Sequence, residues 1–289
     1  MDMKQTLLDS GFARVILLDA ADCGAAEQGT LLLAFWAYQA EREPADHDAW
    51  IHPYYYASQK AYRAAEAAVK ASNGEWTLRD DIRVKPIFAR LPGFTQGMNT
   101  LSYMEGVGSR FHVQILLTEA QLTPDLTLEA PHALHCGTCT RCMQVCPTGA
   151  IDAEGYHREK CLRNWMLSGK PIPEEMRSMG NRLLGCDSCQ RGCPHQPKPM
   201  GENNPPISLR DLLQNPKETT MTLRPIIGSN LAIPNRVLGQ ACLVAGCSGD
   251  ASLLPLLQAL EKHPSPLVAE HAAWAAKQLE NTTEEKTKG

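Results

Sequence analysis

Cysteine is the residue whose number and spacing stand out in this chain of 289 residues. Eight of the eleven cysteines lie between residues 136 and 193, in two runs that each end in Cys-Pro. The first run is Cys136-x2-Cys139-x2-Cys142-x3-Cys146-Pro147. This spacing is typical of bacterial ferredoxins, in which three cysteines ligate one [4Fe–4S] cluster and the fourth ligates a second cluster. The motif therefore predicts a second set of ligands elsewhere in the chain.

The second set follows the first. It consists of a lone cysteine and a further run, Cys161 and Cys186-x2-Cys189-x3-Cys193-Pro194. By the crossed ligation of two-cluster ferredoxins, we expect one cluster on Cys136, Cys139, Cys142 and Cys193, and the other on Cys146, Cys161, Cys186 and Cys189. Structural zinc is the alternative, although zinc sites use four ligands in two pairs, a pattern that the first run does not match. Two neighbouring clusters would carry electrons one at a time.

The three remaining cysteines, Cys23, Cys242 and Cys247, stand apart and are predicted to be buried free thiols. The sequence does not open on a basic segment followed by an apolar core, and no apolar run approaches the roughly 20 residues of a membrane-spanning helix. We therefore expect a cytoplasmic protein without a membrane partner, in which cysteines bind metal rather than form disulfides. We also expect a monomer.

The charge of the chain argues against a dedicated nucleic-acid-binding protein. It carries 28 Lys and Arg against 32 Asp and Glu, for a net charge of −4. Residues 1–130 hold 11 basic and 17 acidic side chains (−6), residues 131–225 hold 12 and 9 (+3), and the remainder holds 5 and 6 (−1). Since binding to phosphates needs a strong basic excess, only the middle part favours nucleic acid, and weakly.

The hydrophobic patterns predict an α+β chain in three consecutive domains. In the first, residues 1–130, we predict an opening helix at Leu7 and Leu8, a helix at 59–71, a glycine-bearing loop at 93–108, and strands at 13–18, 30–37, 84–89 and 111–118. The second strand could equally be helical. Residues 131–200 form the dicluster module. In residues 201–289, after a linker at 197–206, helices are predicted at 209–213, 235–246, 251–262 and 266–279, the last two as a hairpin.

Together with the cysteine runs, three segments resemble the epoxyqueuosine reductase family. They are GMNTLSYMEGVGSRFHVQILLTE (97–119), IPEEMRSMGNRLLGCDSCQRGCP (172–194) and PSPLVAEHAAWA (264–275). The resemblance implies reduction of an epoxide on a modified base of the tRNA anticodon loop, with cobalamin fed by two [4Fe–4S] clusters. It also implies a cobalamin-holding α/β domain, a dicluster module, and HEAT-like helical hairpins that help to grip tRNA. An external flavodoxin or ferredoxin would supply the electrons.

Residues 97–100 are similar to the family's Gly-Lys-Asn-Thr loop, which lies against the corrin. The resemblance therefore implies that Gly97, Asn99 and Thr100 contact cobalamin. Met98 stands in the place of the family's lysine.

The proton donor is a second departure from the family pattern. Epoxide opening needs an acid in position as the C–O bond breaks, and the family's proposed donor is an aspartate. Arg83 occupies that place here, and arginine does not release its proton. Asp81 lies two residues upstream and would point to the same face of a strand, so it is the candidate catalytic residue. A solvated acidic turn at Asp80 and Asp81 is the alternative.

Three functions remain open from the sequence. The first is a cobalamin-dependent iron–sulfur reductase related to epoxyqueuosine reductase. The second is a non-catalytic dicluster electron-transfer protein that has lost the cobalamin site, an alternative that Met98 and Arg83 motivate. The third, an RNA-binding adaptor that uses the helical hairpins, is disfavoured by the charge of −1 over residues 226–289.

Overall fold

The computed structural model describes residues 1–25, 28–40, 48–131, 136–197, 201, 204 and 207–288, so most of the predicted linker at 197–206 lies outside the described residues. The chain forms two compact units built from separated stretches of sequence. The first unit comprises Met1–Ala40, Tyr56–Cys142 and Cys189–Pro199, and the second comprises Glu41–Tyr55, Met143–Ser188 and Met200–Gly289. These units do not coincide with a division at residues 130 and 200, because both runs of cysteines are split between them.

Strands and helices alternate through the first half of the chain, and helices dominate the end. The described strands are β1 (Arg14–Asp19), β2 (Thr30–Ala37), β3 (Asp48–Ile51), β4 (Thr77–Arg79), β5 (Phe94–Gln96), β6 (Ser102–Met104), β7 (Phe111–Thr118), β8 (Ile151–Asp152), β9 (Gly155–Tyr156), β10 (Arg182–Leu184) and β11 (Ile207–Ser208). The described helices are α1 (Met3–Asp9), α2 (Pro53–Ala71), α3 (Val84–Phe88), α4 (Arg141–Gln144), α5 (Leu162–Ser168), α6 (Ser188–Arg191), α7 (Leu209–Gln214), α8 (Pro216–Ile227), α9 (Pro234–Ser248), α10 (Leu254–Leu260) and α11 (Pro266–Lys288).

An antiparallel sheet in the order β1-β2-β7-β4 forms the centre of the first unit. Successive residues alternate between its two faces, as the pleat of a strand requires. Leu33 and Phe35 face an aromatic cluster with Phe88, Phe94 and Phe111. The intervening residues of β2 face α1 and α2. The strands predicted at 13–18, 30–37 and 111–118 and the helix at 59–71 are confirmed, although the helix begins earlier, at Pro53.

The strand predicted at 84–89 is wrong, because this segment forms the short helix α3. Pro86 lies in the first turn of the helix, where its missing N–H costs no intrahelical hydrogen bond. Only Ile87 and Phe88 of this helix are buried, and both join the aromatic cluster. The apolar run therefore reflects one buried helical edge. The loop predicted at 93–108 likewise contains a hairpin of β5 and β6.

The second unit combines a small sheet with the C-terminal helices. Strand β3 lies between β10, which is parallel to it, and β11, which is antiparallel. Helix α9 is the buried centre of the helices, since every residue from Val237 to Gly246 is buried. A Cβ atom at Gly246 would lie 2.7 Å from the Cα atom of Ala275, so glycine is needed for the close approach of α9 and α11.

The helices predicted at 209–213 and 235–246 are confirmed as α7 and α9. The prediction at 251–262 corresponds to a 3-10 turn (Ala251–Leu253) followed by α10, and the prediction at 266–279 to the first part of the longer α11. Helices α10 and α11 contact each other, but the HEAT-like character of this hairpin stays a prediction. Within the described ranges, no helix is both long enough and apolar enough to cross a membrane.

Candidate metal centre

The first three cysteines of the motif lie on a turn and a short helix in the first unit. The backbone N–H of Cys139 donates to the carbonyl of Cys136 over 3.0 Å, and Gly137 between them has a positive φ of 52°. Cys142 lies on the four-residue helix α4 and is buried. The C-x2-C-x2-C spacing thus folds into a turn followed by the start of a helix.

The loop at residues 97–100 contacts the sulfur of the first cysteine. The backbone N–H of Met98 donates to Sγ of Cys136 over 3.2 Å. Gly97 is required here, because a Cβ atom would lie 2.6 Å from Oδ1 of Asn99 and 2.8 Å from the Tyr103 ring. Thr100 has a φ of +61°, a left-handed conformation that is unusual for a residue with a branched Cβ. Such a strained turn beside a cysteine sulfur is typical of a functional site.

Residues of this loop and of the following hairpin also lie near the second run of cysteines. Nδ2 of Asn99 donates to the Tyr103 hydroxyl over 2.9 Å and approaches the Cys189 carbonyl at 3.4 Å. The Tyr103 hydroxyl also lies beside the Cys193 sulfur. Burial, followed by this sulfur, raises the pKa of Tyr103 above its usual range. The loop therefore contacts Cys136 and its hairpin lies beside Cys193, two cysteines that the crossed ligation pattern assigns to one cluster.

Two further cysteines lie around the β8–β9 hairpin of the second unit. The backbone N–H of Ala150 donates to Sγ of Cys146 over 3.2 Å, just before β8. The Tyr156 hydroxyl, on β9, lies beside the Cys161 sulfur. Cys161 itself precedes α5 and has an extended backbone. The hairpin thus contacts two cysteines assigned to the second cluster.

Cys186 is linked to α5 through its neighbour. The backbone N–H of Gly185 contacts Sδ of Met166 at 3.2 Å, and the Cys186 sulfur lies 3.5 Å from the Ser188 hydroxyl. Burial raises the pKa of the Cys186 thiol. The fourth predicted ligand, Cys189, belongs to the last segment of the first unit, so its grouping with these three stays a prediction.

The donor set of these cysteines fits iron–sulfur clusters. Thiolates are the ligands of [4Fe–4S] clusters, and N–H and O–H groups directed at the sulfurs stabilise their negative charge. The sulfurs of Cys136 and Cys146 receive such a contact from the backbone N–H groups of Met98 and Ala150, and Tyr103 and Tyr156 lie beside two further sulfurs. The two tyrosines were not predicted from the sequence. Their only sequence signal is a position on a short strand within ten residues of a matched motif or ligand.

The remaining cysteines occupy different surroundings. Cys242 is fully buried on α9, and burial raises the pKa of its thiol to about 12. Cys23 is half-buried, and its pKa is raised to about 12 by burial and by the carboxylate of Asp22. Burial also raises the pKa of Cys247. Burial raises the pKa of the predicted ligand Cys186 as well, so the prediction that these three cysteines are not ligands rests on their position outside the two runs.

Asp81 does not lie on a strand, contrary to the prediction, because β4 ends at Arg79. Its carboxylate is exposed and accepts two hydrogen bonds from the Arg79 guanidinium, at 2.8 and 2.6 Å. This arrangement lowers the pKa of Asp81. Arg83 is also exposed, at the start of α3. An exposed carboxylate held ionised by arginine is poorly suited to donate a proton, so the catalytic role of Asp81 stays a prediction that this geometry disfavours.

Comparison with protein families identifies the centre of the chain. The family described as a 4Fe-4S double cluster binding domain matches residues 135–196, which include all eight predicted ligands. This match favours iron–sulfur clusters over structural zinc.

Curated relatives agree with the predicted resemblance. Epoxyqueuosine reductases of Xanthomonas campestris, Pseudomonas aeruginosa and Bacillus subtilis are 32%, 31% and 30% identical over 197, 194 and 189 residues. These alignments cover 63%, 62% and 58% of this chain but only 54%, 52% and 46% of the relatives. The chain therefore resembles epoxyqueuosine reductases and spans about half the length of the curated relatives that it matches.

Solved structures extend the likeness to the whole fold. A selenomethionine-labelled epoxyqueuosine reductase superposes with a TM-score of 0.73 at 18% identity, over 98% of this chain and 93% of that chain. An epoxyqueuosine reductase with an epoxyqueuosine-modified tRNA-Tyr stem loop gives a TM-score of 0.72 at 19% identity, with the same coverage. At this level of identity the likeness establishes the mixed helix and sheet fold.

Proposed function

We propose that this protein is an iron–sulfur reductase that acts on epoxyqueuosine in tRNA, with electrons passing through two [4Fe–4S] clusters to cobalamin. The observation that carries the proposal is the set of eight cysteines within a double-cluster domain, in a chain similar to epoxyqueuosine reductases. A soluble flavodoxin or ferredoxin would supply the electrons. The tRNA partner is supported by the stem loop bound to a protein of the same fold.

Two groups of residues have separate roles in this proposal: the cysteines bind the clusters, and the loop at 97–100 borders the cobalamin site. The cysteines hold the clusters, and N–H and O–H groups lie beside several of their sulfurs. Cobalamin, when bound, supplies the low-potential cobalt chemistry that an epoxide reduction needs. In the loop at 97–100, Met98 and Thr100 are half-buried and able to meet a ligand, whereas the Asn99 amide is buried and bonded within the loop. Asn99 would therefore shape the cobalamin site rather than touch the corrin through its side chain.

The proposal is tested by anaerobic reconstitution followed by titration with cob(II)alamin. We expect about eight irons per chain and a cobalt EPR signal that the protein alters. The loaded protein should then convert epoxyqueuosine in tRNA when a chemical reductant supplies electrons. An unaltered cobalt signal with both clusters present would overturn cobalamin dependence.

A second candidate function is electron transfer without catalysis. The observations that favour it are Met98 in place of a lysine and the exposed, arginine-bound state of Asp81. This candidate predicts eight irons and reversible reduction, but no binding of cobalamin and no turnover of tRNA. The same titration therefore separates the two candidates.

The proposed proton donor has a matched control in the neighbouring residue. Asp80 and Asp81 are both exposed, but only Asp81 is bonded to Arg79 in the described hydrogen bonds. If Asp81 is the donor, Asp81→Asn abolishes turnover at unchanged iron content while Asp80→Asn does not. Because the Arg79 hydrogen bonds lower the pKa of Asp81 and keep its carboxylate ionised, we expect Asp81→Asn to leave turnover close to that of the wild type.

A further inference from the structure

One predicted ligand of the first cluster (Cys136, Cys139, Cys142 and Cys193) comes from a distant part of the chain. The first three ligands are close neighbours in sequence, whereas Cys193 belongs to a separate segment of the same unit. The described residues of that segment form little regular structure beyond the end of α6. Because closing so long a loop costs entropy, tertiary contacts must hold Cys193 in place.

Two glutamines lie on either side of Cys193, and both bond to Ser109. The Gln190 carbonyl accepts the Cys193 N–H over 3.1 Å, and the Gln196 N–H donates to the Cys193 carbonyl over 3.3 Å. Nε2 of Gln190 lies 3.2 Å from the Ser109 carbonyl oxygen and 3.1 Å from its hydroxyl oxygen. Oε1 of Gln196 accepts the Ser109 N–H over 3.1 Å, and its Nε2 contacts the Ser109 hydroxyl.

The backbone of Ser109 determines the orientation of both side-chain amides. Its carbonyl can only accept, so it requires the Nε2 group of Gln190, and its N–H can only donate, so it requires Oε1 of Gln196. The Ser109 hydroxyl oxygen has two lone pairs and accepts from both amides. Ser109 and Gln190 are 6% and 7% exposed, so water does not compete effectively for these hydrogen bonds.

The neighbours of Ser109 hold the same segment. Nη1 of the buried Arg110 donates to the Pro197 carbonyl over 2.8 Å. A Cβ atom at Gly108 would lie 2.7 Å from Cδ of Pro197 and closer still to Oε1 of Gln196, so glycine is needed for this close approach. Residues 108–110 therefore bind the segment that carries Cys193 through side-chain and backbone contacts together.

We propose that Ser109 is a positioning residue for the first cluster. By bonding to Gln190 and Gln196 it holds Cys193 in place and slows the loss of iron, because a cluster loses iron only after a ligand segment opens locally. The proposal rests on the iron–sulfur part of the proposed function and requires neither cobalamin nor tRNA. A wild-type protein without about eight irons would contradict the clusters themselves, so the two failures are distinguishable.

The experiment follows the anaerobic release of iron from the reconstituted protein to an excess of a ferrous chelator. The phase of release that is absent in Cys142→Ala is assigned to the first cluster. In Gln196→Met, which removes an amide from a half-buried side chain of similar length, we expect this phase to be about tenfold faster, the scale of one lost hydrogen-bonding group. The phase of the other cluster should not change.

Ser109→Ala is a second variant that carries the test if Gln196→Met is isolated with less iron. It removes the hydroxyl and keeps both backbone hydrogen bonds, so we expect a smaller acceleration of the same phase, about threefold. The EPR line shape of the reduced first cluster should broaden in both variants, since Cys193 is less firmly held.

The control is the same substitution at an exposed glutamine beside other ligands. Gln144 lies between Cys142 and Cys146, and Gln144→Met should leave both phases of release unchanged. Unchanged release from the first cluster in Gln196→Met and Ser109→Ala, with about eight irons retained, would overturn the proposal. Equal acceleration of both phases would overturn it as well, because it would show a general loosening of the fold.

Discussion

Cysteines occur in two contrasting regions of this chain, the iron–sulfur motifs and the buried helix α9. In the motifs, backbone and hydroxyl donors approach sulfurs such as Cys136 and Cys146 at about hydrogen-bonding distance. On α9, Cys242 lies within a continuous run of buried residues, and burial raises the pKa of its thiol to about 12. The predicted ligands thus lie beside N–H or O–H groups that point at sulfur, whereas a cysteine in the core of α9 acts as a small apolar side chain.

The largest effect is expected when one cysteine from each region is replaced by alanine. Cys142 and Cys242 are both buried, so the two substitutions remove similar side chains from similar depths. Cys142→Ala deprives one cluster of a ligand, and we expect the iron content to fall from about eight to about four per chain. Iron and acid-labile sulfide analysis after anaerobic reconstitution measures the loss.

Cys242→Ala is the control for that substitution. It should retain about eight irons and lose only a modest amount of stability, on the order of 1 kcal/mol for a small buried group. Loss of iron in Cys242→Ala, or full iron in Cys142→Ala, would break the distinction between the two regions.

The two regions also differ in how far the sequence predicts them. The motif spacing predicts the ligands because iron–sulfur binding needs specific residues at specific intervals, and the β1, β2 and β7 strands follow from continuous apolar runs. The segment at 84–89 was misassigned because a short apolar run with a proline fits a strand and a first helical turn equally well. Tyr103 could not be assigned to Cys193, since 90 residues separate them and only the tertiary fold brings them together.

A second test uses the histidine that joins α11 to α9. His271 is fully buried, its Nδ1 donates to the Gly239 carbonyl over 2.9 Å, and its Nε2 accepts from the Ile172 N–H over 2.9 Å. The ring is therefore neutral. Burial lowers its pKa to about 4, an effect opposed by the Gly239 carbonyl and reinforced by Arg177.

The direction of the pH dependence follows from this lowered pKa. In the unfolded chain the histidine takes up a proton below about pH 6.5, while in the folded chain it stays neutral to about pH 4. The stabilisation is therefore complete above pH 6.5 and is lost as the pH falls toward 4, by on the order of 3 kcal/mol in total.

His271→Gln retains one donor and one acceptor but does not titrate, so it isolates this contribution. We expect the stability difference between wild type and His271→Gln, measured by urea unfolding, to shrink as the pH falls from 7.5 to 5. The iron–sulfur region should give the same iron content in both proteins. A difference that stays constant with pH would show that His271 does not couple the helices to pH.

The smallest expected effect is a change in stability when either of two glycines of α9 is replaced by alanine. Both glycines face α11, but their nearest atoms on that helix differ. A Cβ at Gly246 would meet backbone and side-chain atoms of Ala275 at 2.7 and 2.8 Å, whereas a Cβ at Gly239 would meet side-chain atoms of Leu267 and His271 at the longer distances of 3.1 and 3.3 Å. In a helix, alanine is more stabilising than glycine by up to about 1 kcal/mol, but overpacking a core costs about 1–3 kcal/mol.

Because the Ala275 backbone cannot rotate away, Gly246→Ala should destabilise the protein by about 1–2 kcal/mol, while Gly239→Ala should be nearly neutral. Thermal unfolding of the two variants measures this difference, and equal melting temperatures would mean that α9 and α11 are not held at this separation. Neither substitution should change the iron content, because packing of apolar helices and thiolate ligation stabilise their regions by separate means.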